Sequence, residues 1–366
     1  MIKSGSKTTP GRFFEDFRLG EVIRHATPRT VGAADATLHL ALTGSRFLPH
    51  CSLPAALANG VDGLPVDDLL AFHLVFGKSV PDISLNAVAN LGYAEGRFHR
   101  LVRPGDTLAA TSTVIGLKET SSGRTGIVYV RTVGIDQDGR PVLEFCRWVM
   151  VRKRDAASPA PETSVPTLAP AVDAATLAVP AGLGRLALDP VASGSALTFE
   201  GYAKGERIDH VDGMGIMESE HRLATRLYQN TARVHFNDHA ERAGRLGAVI
   251  VYGGVVISLA RALSFNGLGN LWHLLAINAG THANPALAGD TVFAWSEVLD
   301  KAPLAERDDC GALRLRLVAT KNRPCHDYPL RDTDGRYLPD VLLDLDYWGL
   351  MPTRAALSAG SGGRSG

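Results

Sequence analysis

In LRLRLV, Leu313, Leu315 and Leu317 alternate with Arg314 and Arg316; in LDLDY, Leu343, Leu345 and Tyr347 alternate with Asp344 and Asp346. Successive side chains of a strand point to opposite faces, so this alternation predicts strands with one buried face. Other windows follow a helical period. Leu38 and Leu42, and again Leu223 and Leu227, stand four apart, as on one helix face. The segment GGVVISLARALS, starting at Gly253, is apolar or small nearly all round and predicts a buried helix. A buried central helix followed by a meander of antiparallel strands predicts an α+β layer fold, a sheet wrapped round a helix.

The pattern occurs twice. FEDFRLGEVIRH begins at Phe14 and FEGYAKGERIDH at Phe199; Gly20 and Gly205 differ by 185, as do His25 and His210, and Thr107 of PGDT precedes Thr291 of AGDT by 184. One near-constant offset predicts a head-to-tail fusion of two copies of one domain, residues 11–154 and 195–354. The stretch between them, 155–194, is dense in Ala, Pro, Ser and Thr and is expected to be an extended spacer that buries no core. Residues 355–366, AALSAGSGGRSG, read as a flexible tail.

Charge narrows the function classes. The 38 basic residues balance 38 acidic ones without long runs of one sign, which argues against nucleic-acid binding and a polybasic membrane contact. No stretch approaches the ~20 apolar residues that span a bilayer, and the start lacks a signal peptide's apolar core, so a cytoplasmic location is expected. Cys51, Cys146, Cys310 and Cys325 lie far apart, which predicts reduced thiols and neither a metal site nor a disulfide framework. No cofactor is expected.

The window TRLYQNTARVHFNDHAERAG, followed by IVYGGVVISLARALS, carries the candidate chemistry. His235 can take and return a proton near neutrality. The first turn of a helix has unpaired N–H groups and a positive dipole end, and glycine at 253 and 254 lets a ligand oxygen approach it. These windows resemble the MaoC-like, R-specific enoyl-CoA hydratase family, whose pattern runs G-D-x-N-P-x-H and then a glycine at the start of the central helix. The resemblance implies a double hotdog of two MaoC-like repeats, each an antiparallel sheet wrapped round a central helix. It places His235 on the catalytic histidine, Asn230 on the aspartate five residues before it, and Gly253 on the donor to the thioester oxygen. Ala232 and Arg233 replace the Asn-Pro of the pattern. Asn230 cannot act as a general base but can orient a water or fix a tautomer; Glu220 and Asp238 are the nearby carboxylates. Subtracting 185 gives His50, Ser45 and Asp68 in the first copy. A carboxylate at the donor position would repel a developing oxyanion, so the first half reads as substrate-binding or structural, and the resemblance likewise implies one active site, in the second half.

Longer stretches, among them GRFFEDFRLGEVIRHATPRTV, FHLVFGKSVPDISLNAVANLGYAEGRF and RPCHDYP, are similar to the subgroup of that family that hydrates mesaconyl-CoA. The likeness runs from about Gly11 to Arg354 and implies reversible hydration of mesaconyl-CoA to β-methylmalyl-CoA in glyoxylate assimilation, on a CoA-thioester substrate. That substrate carries a free carboxylate, best held by an arginine fork. Arg233 is the first candidate, with Arg46 and Arg226 behind it, and Tyr252 is a further substrate contact; Lys321 and Arg323 are candidates for the CoA phosphates. A homodimer is expected. Two other readings remain on the same fold, a thioesterase and a non-catalytic acyl-CoA binder, the latter supported by Ser45 and Asn230.

Overall fold

The computed structural model describes residues 7–360 with the exception of Arg245. All the long strands join one antiparallel sheet, and its order is a mirror image about the middle. From one edge run Val22–Arg24, Thr107–Glu119, Thr125–Ile135, Pro141–Arg152 and Ala87–Phe98; then His273–His282, Val341–Pro352, Cys310–Lys321, Thr291–Pro303 and Arg207–Gly215. A two-residue strand, Arg29–Thr30, pairs off this path with Thr107–Glu119. Each half therefore repeats the same strand sequence in opposite spatial order, and the halves join where Ala87–Phe98 pairs with His273–His282. Backbone hydrogen bonds cross that seam with Tyr93 opposite Gly280 and Gly96 opposite Ile277.

The alternating windows are strands with one buried face, as the period requires: Leu313, Leu315 and Leu317 are fully buried, while Arg314 and Arg316 pair with Asp346 and Glu297. The repeat is equally literal. Gly20 and Gly205 both take positive φ, and His25 and His210 each share a hydrogen bond with a serine one strand over, Ser112 and Ser296.

Two buried helices, Asp68–Ser79 and Gly253–Leu263, fill the concave side of the sheet and belong to one core. Their first residues are 185 apart, so the offset holds through the intervening loops. His73 and Ser258, also 185 apart, share a hydrogen bond of 2.9 Å. Equivalent positions can touch each other only where the symmetry axis passes, so the axis runs between these helices. Outer helices Ala33–Thr43 and Glu218–Leu227 cover them.

The segment 155–194 departs from expectation. It buries Val172, Leu177, Leu186 and Leu188 in a core shared with Trp272 and Trp348, and Val172 N–H donates to Asn278 Oδ1. Its alanines and prolines are sparse in apolar area, but four well-placed aliphatic side chains suffice to pin it to the sheet. The supposed tail begins with a helix, Ala355–Gly360, whose Ala356 is buried; Ser361–Gly366 lie outside the described residues. Among the described residues no helix is long and apolar enough to cross a membrane.

Candidate active site

The site begins at a reversal. The helix Glu218–Leu227 ends at Tyr228, and Gln229 takes a φ of 55°, turning the chain into Asn230. The first half holds this turn. Lys78 Nζ donates to the side-chain oxygen of Gln229 and to the carbonyl of Thr27. Gly77 lies so close that a Cβ there would sit 1.9 Å from the Tyr228 carbonyl oxygen, a contact only glycine allows. Asn230 is buried, and its Oδ1 accepts the Ala232 N–H at 3.0 Å, setting the chain on course for the single turn Arg233–His235. Its amide nitrogen has no protein partner among the described residues.

His235 is buried with Nδ1 2.9 Å from the Ile250 carbonyl oxygen. A carbonyl only accepts, so Nδ1 carries the proton and Nε2 presents a lone pair. Burial pushes its pKa down to about 4, against the pull of that carbonyl and with a further push from His221. The backbone of Ile250, not the side chain of Asn230, therefore fixes the tautomer. Neither nearby carboxylate reaches the ring: Glu220 is exposed, and Asp238 pairs with Arg222 at 2.7 Å.

Beside His235 stands Tyr252, the residue before the helix Gly253–Leu263, with ring centroids 5.5 Å apart. Its hydroxyl is buried without a partner, and burial raises its pKa well above the usual value, so it is a phenol that can donate. A Cβ at 253 would lie 2.3 Å from His282 Cε1, and one at 254 equally close to the Tyr252 ring. Both glycines are thus required by crowding, and their N–H groups belong to the helix turn that has no intrahelical acceptors. The His282 pKa is pushed to about 4 by burial and by His235, and its Nε2 lies 3.2 Å from the Tyr93 hydroxyl. Tyr93 reaches it from the first half, across the strand seam.

His235, Asn230, Tyr252 and Gly253 are brought together as the sequence pattern predicts; Arg233 is not. Its side chain is exposed and donates to the Pro10 carbonyl at 3.2 Å. Arg46 and Arg226 are exposed too, stacked over Phe265 and Phe236. Lys321 donates to the Pro285 carbonyl, and Arg323 pairs with Asp340 and Asp327. Sequence reasoning missed His282, Tyr93 and His221. His282 ends a strand and Tyr93 comes from the other copy, so no local motif marks either.

In the first half the equivalent place is filled. His50, Asp67 and Asp68 cluster there, all buried, and the carboxylates of Asp67 and Asp68 both accept the Leu69 N–H. Asp68 also accepts the Leu274 N–H at 2.6 Å. Burial and the charge of Asp67 raise the Asp68 pKa to about 6. Burial would raise Asp67 as well, but its bond to His39 and that ring's charge hold it low. The helix start that is open at Gly253 is thus occupied by the chain's own side chains at Asp68.

A mirrored sheet around two central helices, with a histidine at one glycine-opened helix start, defines a double hotdog protein of the MaoC-like type. A Chloroflexus aurantiacus structure described as a MaoC domain dehydratase superposes with a TM-score of 0.93 at 57% identity, covering 96% of this chain and 100% of that one. A Mycobacterium tuberculosis protein described as a double hotdog fold superposes with a TM-score of 0.69 at 25% identity, covering 94% and 98%. The family model for mesaconyl-CoA hydratase matches residues 3–170. The β-methylmalyl-CoA dehydratase of Chloroflexus aurantiacus is 58% identical over 95% of this chain and 99% of its own. The mesaconyl-CoA hydratase of Cereibacter sphaeroides is 58% identical over 94% and 99%. The chain belongs to the mesaconyl-CoA hydratase family.

Proposed function

We propose that this chain adds water reversibly across the double bond of mesaconyl-CoA to give β-methylmalyl-CoA, at one site in its second half. The observation that carries the reading is the bond from His235 Nδ1 to the Ile250 carbonyl, which leaves Nε2 as an unprotonated base beside the Gly253 helix start. Water gives a proton to Nε2 as its oxygen bonds the β-carbon. The electron pair of the double bond moves through the α-carbon to the thioester oxygen, which the N–H groups at Gly253 and Gly254 receive. The imidazolium then returns its proton to the α-carbon, and the reverse sequence expels water. Asn230, whose Oδ1 is taken up by the Ala232 N–H, orients the water through its amide nitrogen, and the unpartnered Tyr252 hydroxyl contacts the acyl group.

The 58% identity to proteins named for this reaction supports the substrate. Four unpaired thiols, three of them buried, fit a cytoplasmic enzyme, and a homodimer is the assembly we expect, to be read by light scattering. Purified protein incubated with mesaconyl-CoA should yield the hydrated thioester without releasing CoA. Free CoA would instead indicate a thioesterase, and no turnover a binding protein.

A further inference from the structure

One buried ionisable group beside this site has no role in that mechanism. His221 lies on the inner face of the helix Glu218–Leu227, 1% exposed, and neither ring nitrogen has a hydrogen-bond partner among the described residues. Buried polar atoms are nearly always paired, so a ring orphaned at both nitrogens is waiting for a ligand or a water. It faces a small cavity with room for about one water molecule, walled by Leu42, Thr43, Tyr228, Val255 and Leu259, with Glu220 at its exposed side. Two of those walls lead to the site: Val255 is in the first turn of the helix that opens at Gly253, and the Tyr228 ring lies 6.1 Å from that of Tyr252, which itself stands 5.5 Å from His235. The orphaned ring is therefore next to the reacting end of the site.

The substrate's chemistry says what belongs there. In either thioester isomer of mesaconyl-CoA the free carboxylate is borne by the β-carbon, the carbon that water attacks. Whatever holds it must stand close to His235, and the arginines singled out from sequence all point to the surface.

We propose that His221, as an imidazolium, binds the free carboxylate of the acyl group and so selects dicarboxylic enoyl-CoA substrates over plain ones. The inference rests on the hydratase reading for its choice of substrate. In the unliganded protein burial keeps the ring neutral, assisted by Arg222 and opposed by Glu218 on the same helix. Glu220, on the same helix, also lines the cavity but is exposed to solvent; the outer helix and the central helix offer the ring Leu42, Thr43, Val255 and Leu259, and the turn offers the Tyr228 phenol. With Glu220 screened by solvent and no buried anion on the other faces, the ring takes its proton from solvent together with the carboxylate, so binding draws in one proton. A neutral pocket that charges only on binding also admits the ligand without a standing buried cation.

The test needs no turnover. Succinyl-CoA carries a carboxylate on its β-carbon and has no double bond to hydrate; butyryl-CoA is its uncharged counterpart. Wild type should bind succinyl-CoA on the order of thirtyfold or more tighter than butyryl-CoA, with a calorimetric buffer dependence showing about one proton taken up. In His221→Leu the preference and the proton uptake should vanish while butyryl-CoA binding is kept. His221→Gln, which can donate a hydrogen bond but carries no charge, should keep part of the preference and none of the uptake; it also serves if the leucine variant fails to fold. Equal binding of the two thioesters by wild type, or a preference that survives both substitutions, overturns the proposal. Absence of mesaconyl-CoA hydration with this binding pattern intact would instead overturn the hydratase reading alone.

Discussion

His235 owes its base form to where it is buried. Its pKa of about 4 lies below the ordinary 6.5, so Nε2 stays unprotonated across the neutral range. The acid limb of kcat/KM, which reports the free enzyme, should therefore fall near pH 4 and not near 6.5. His235→Gln should lower kcat by ~10²–10⁴-fold, the usual weight of a general base. The alanine variant is a poorer probe than a loop position would suggest, because it strands the Ile250 carbonyl in a buried place at about 1–3 kcal/mol. Asp68 titrates in the opposite sense. Its folded pKa of about 6 exceeds the usual 3.8, so the folded chain binds the extra proton between those values and stability from this group is lost as pH rises through that window. Asp68→Asn should remove the loss: its melting temperature relative to wild type should climb from pH 4 to 6.5, and a constant difference would show that Asp68 is not the group titrating.

The helices and strands are the scale at which sequence reads best. Alternation in LRLRLV and the all-round apolar run after Gly253 specify their elements because burial on one face, or on every face, leaves a periodic trace. The offset of 185 carries the second copy onto the first and places both helix starts. What leaves no trace is support across the halves: Gly77 and Lys78 read as ordinary residues of the first helix, yet they brace the turn that delivers Asn230 and His235. Likewise His282 and Tyr93 meet only because strands from the two copies pair, and Arg233, two residues from the base, turns outward to Pro10. Gly77→Ala would drive a methyl into the Tyr228 carbonyl. It should destabilise the protein by about 1–3 kcal/mol and lower kcat at least tenfold although it lies in the half without the base; steady-state kinetics beside thermal melts would read both. Unchanged kcat would mean the turn is held by other contacts.

For the molecule as a whole, the seam decides what can be separated. Parting the halves leaves the strand Ala87–Phe98 and the strand His273–His282 each with an unpaired edge and uncovers Val172, Leu177, Leu186 and Leu188. Residues 195–366 expressed alone should be insoluble or inactive, and coexpression with residues 1–194 should restore activity; a stable, active second half would contradict this. Acid should also act globally. His210, His235 and His282 have folded pKa values of about 4 and His273 about 3, all lowered by burial. Each binds a proton more readily when unfolded, so stability should decline as pH falls from 6.5 through 4, steeply because four groups titrate together, as pH-dependent melts would show. The pairing of Asp68 with Gly253 at equivalent helix starts has a further meaning. In a dimer of identical chains every substitution strikes both subunits, so a side chain that closes one helix start closes its twin. Fusing two copies into one chain frees each from the other's requirements, and drift in one can be kept without harm to its sister. A duplicated ancestor could thus specialise its halves in succession, trading the second active site of a symmetric pair for a dedicated scaffold around the one that remained.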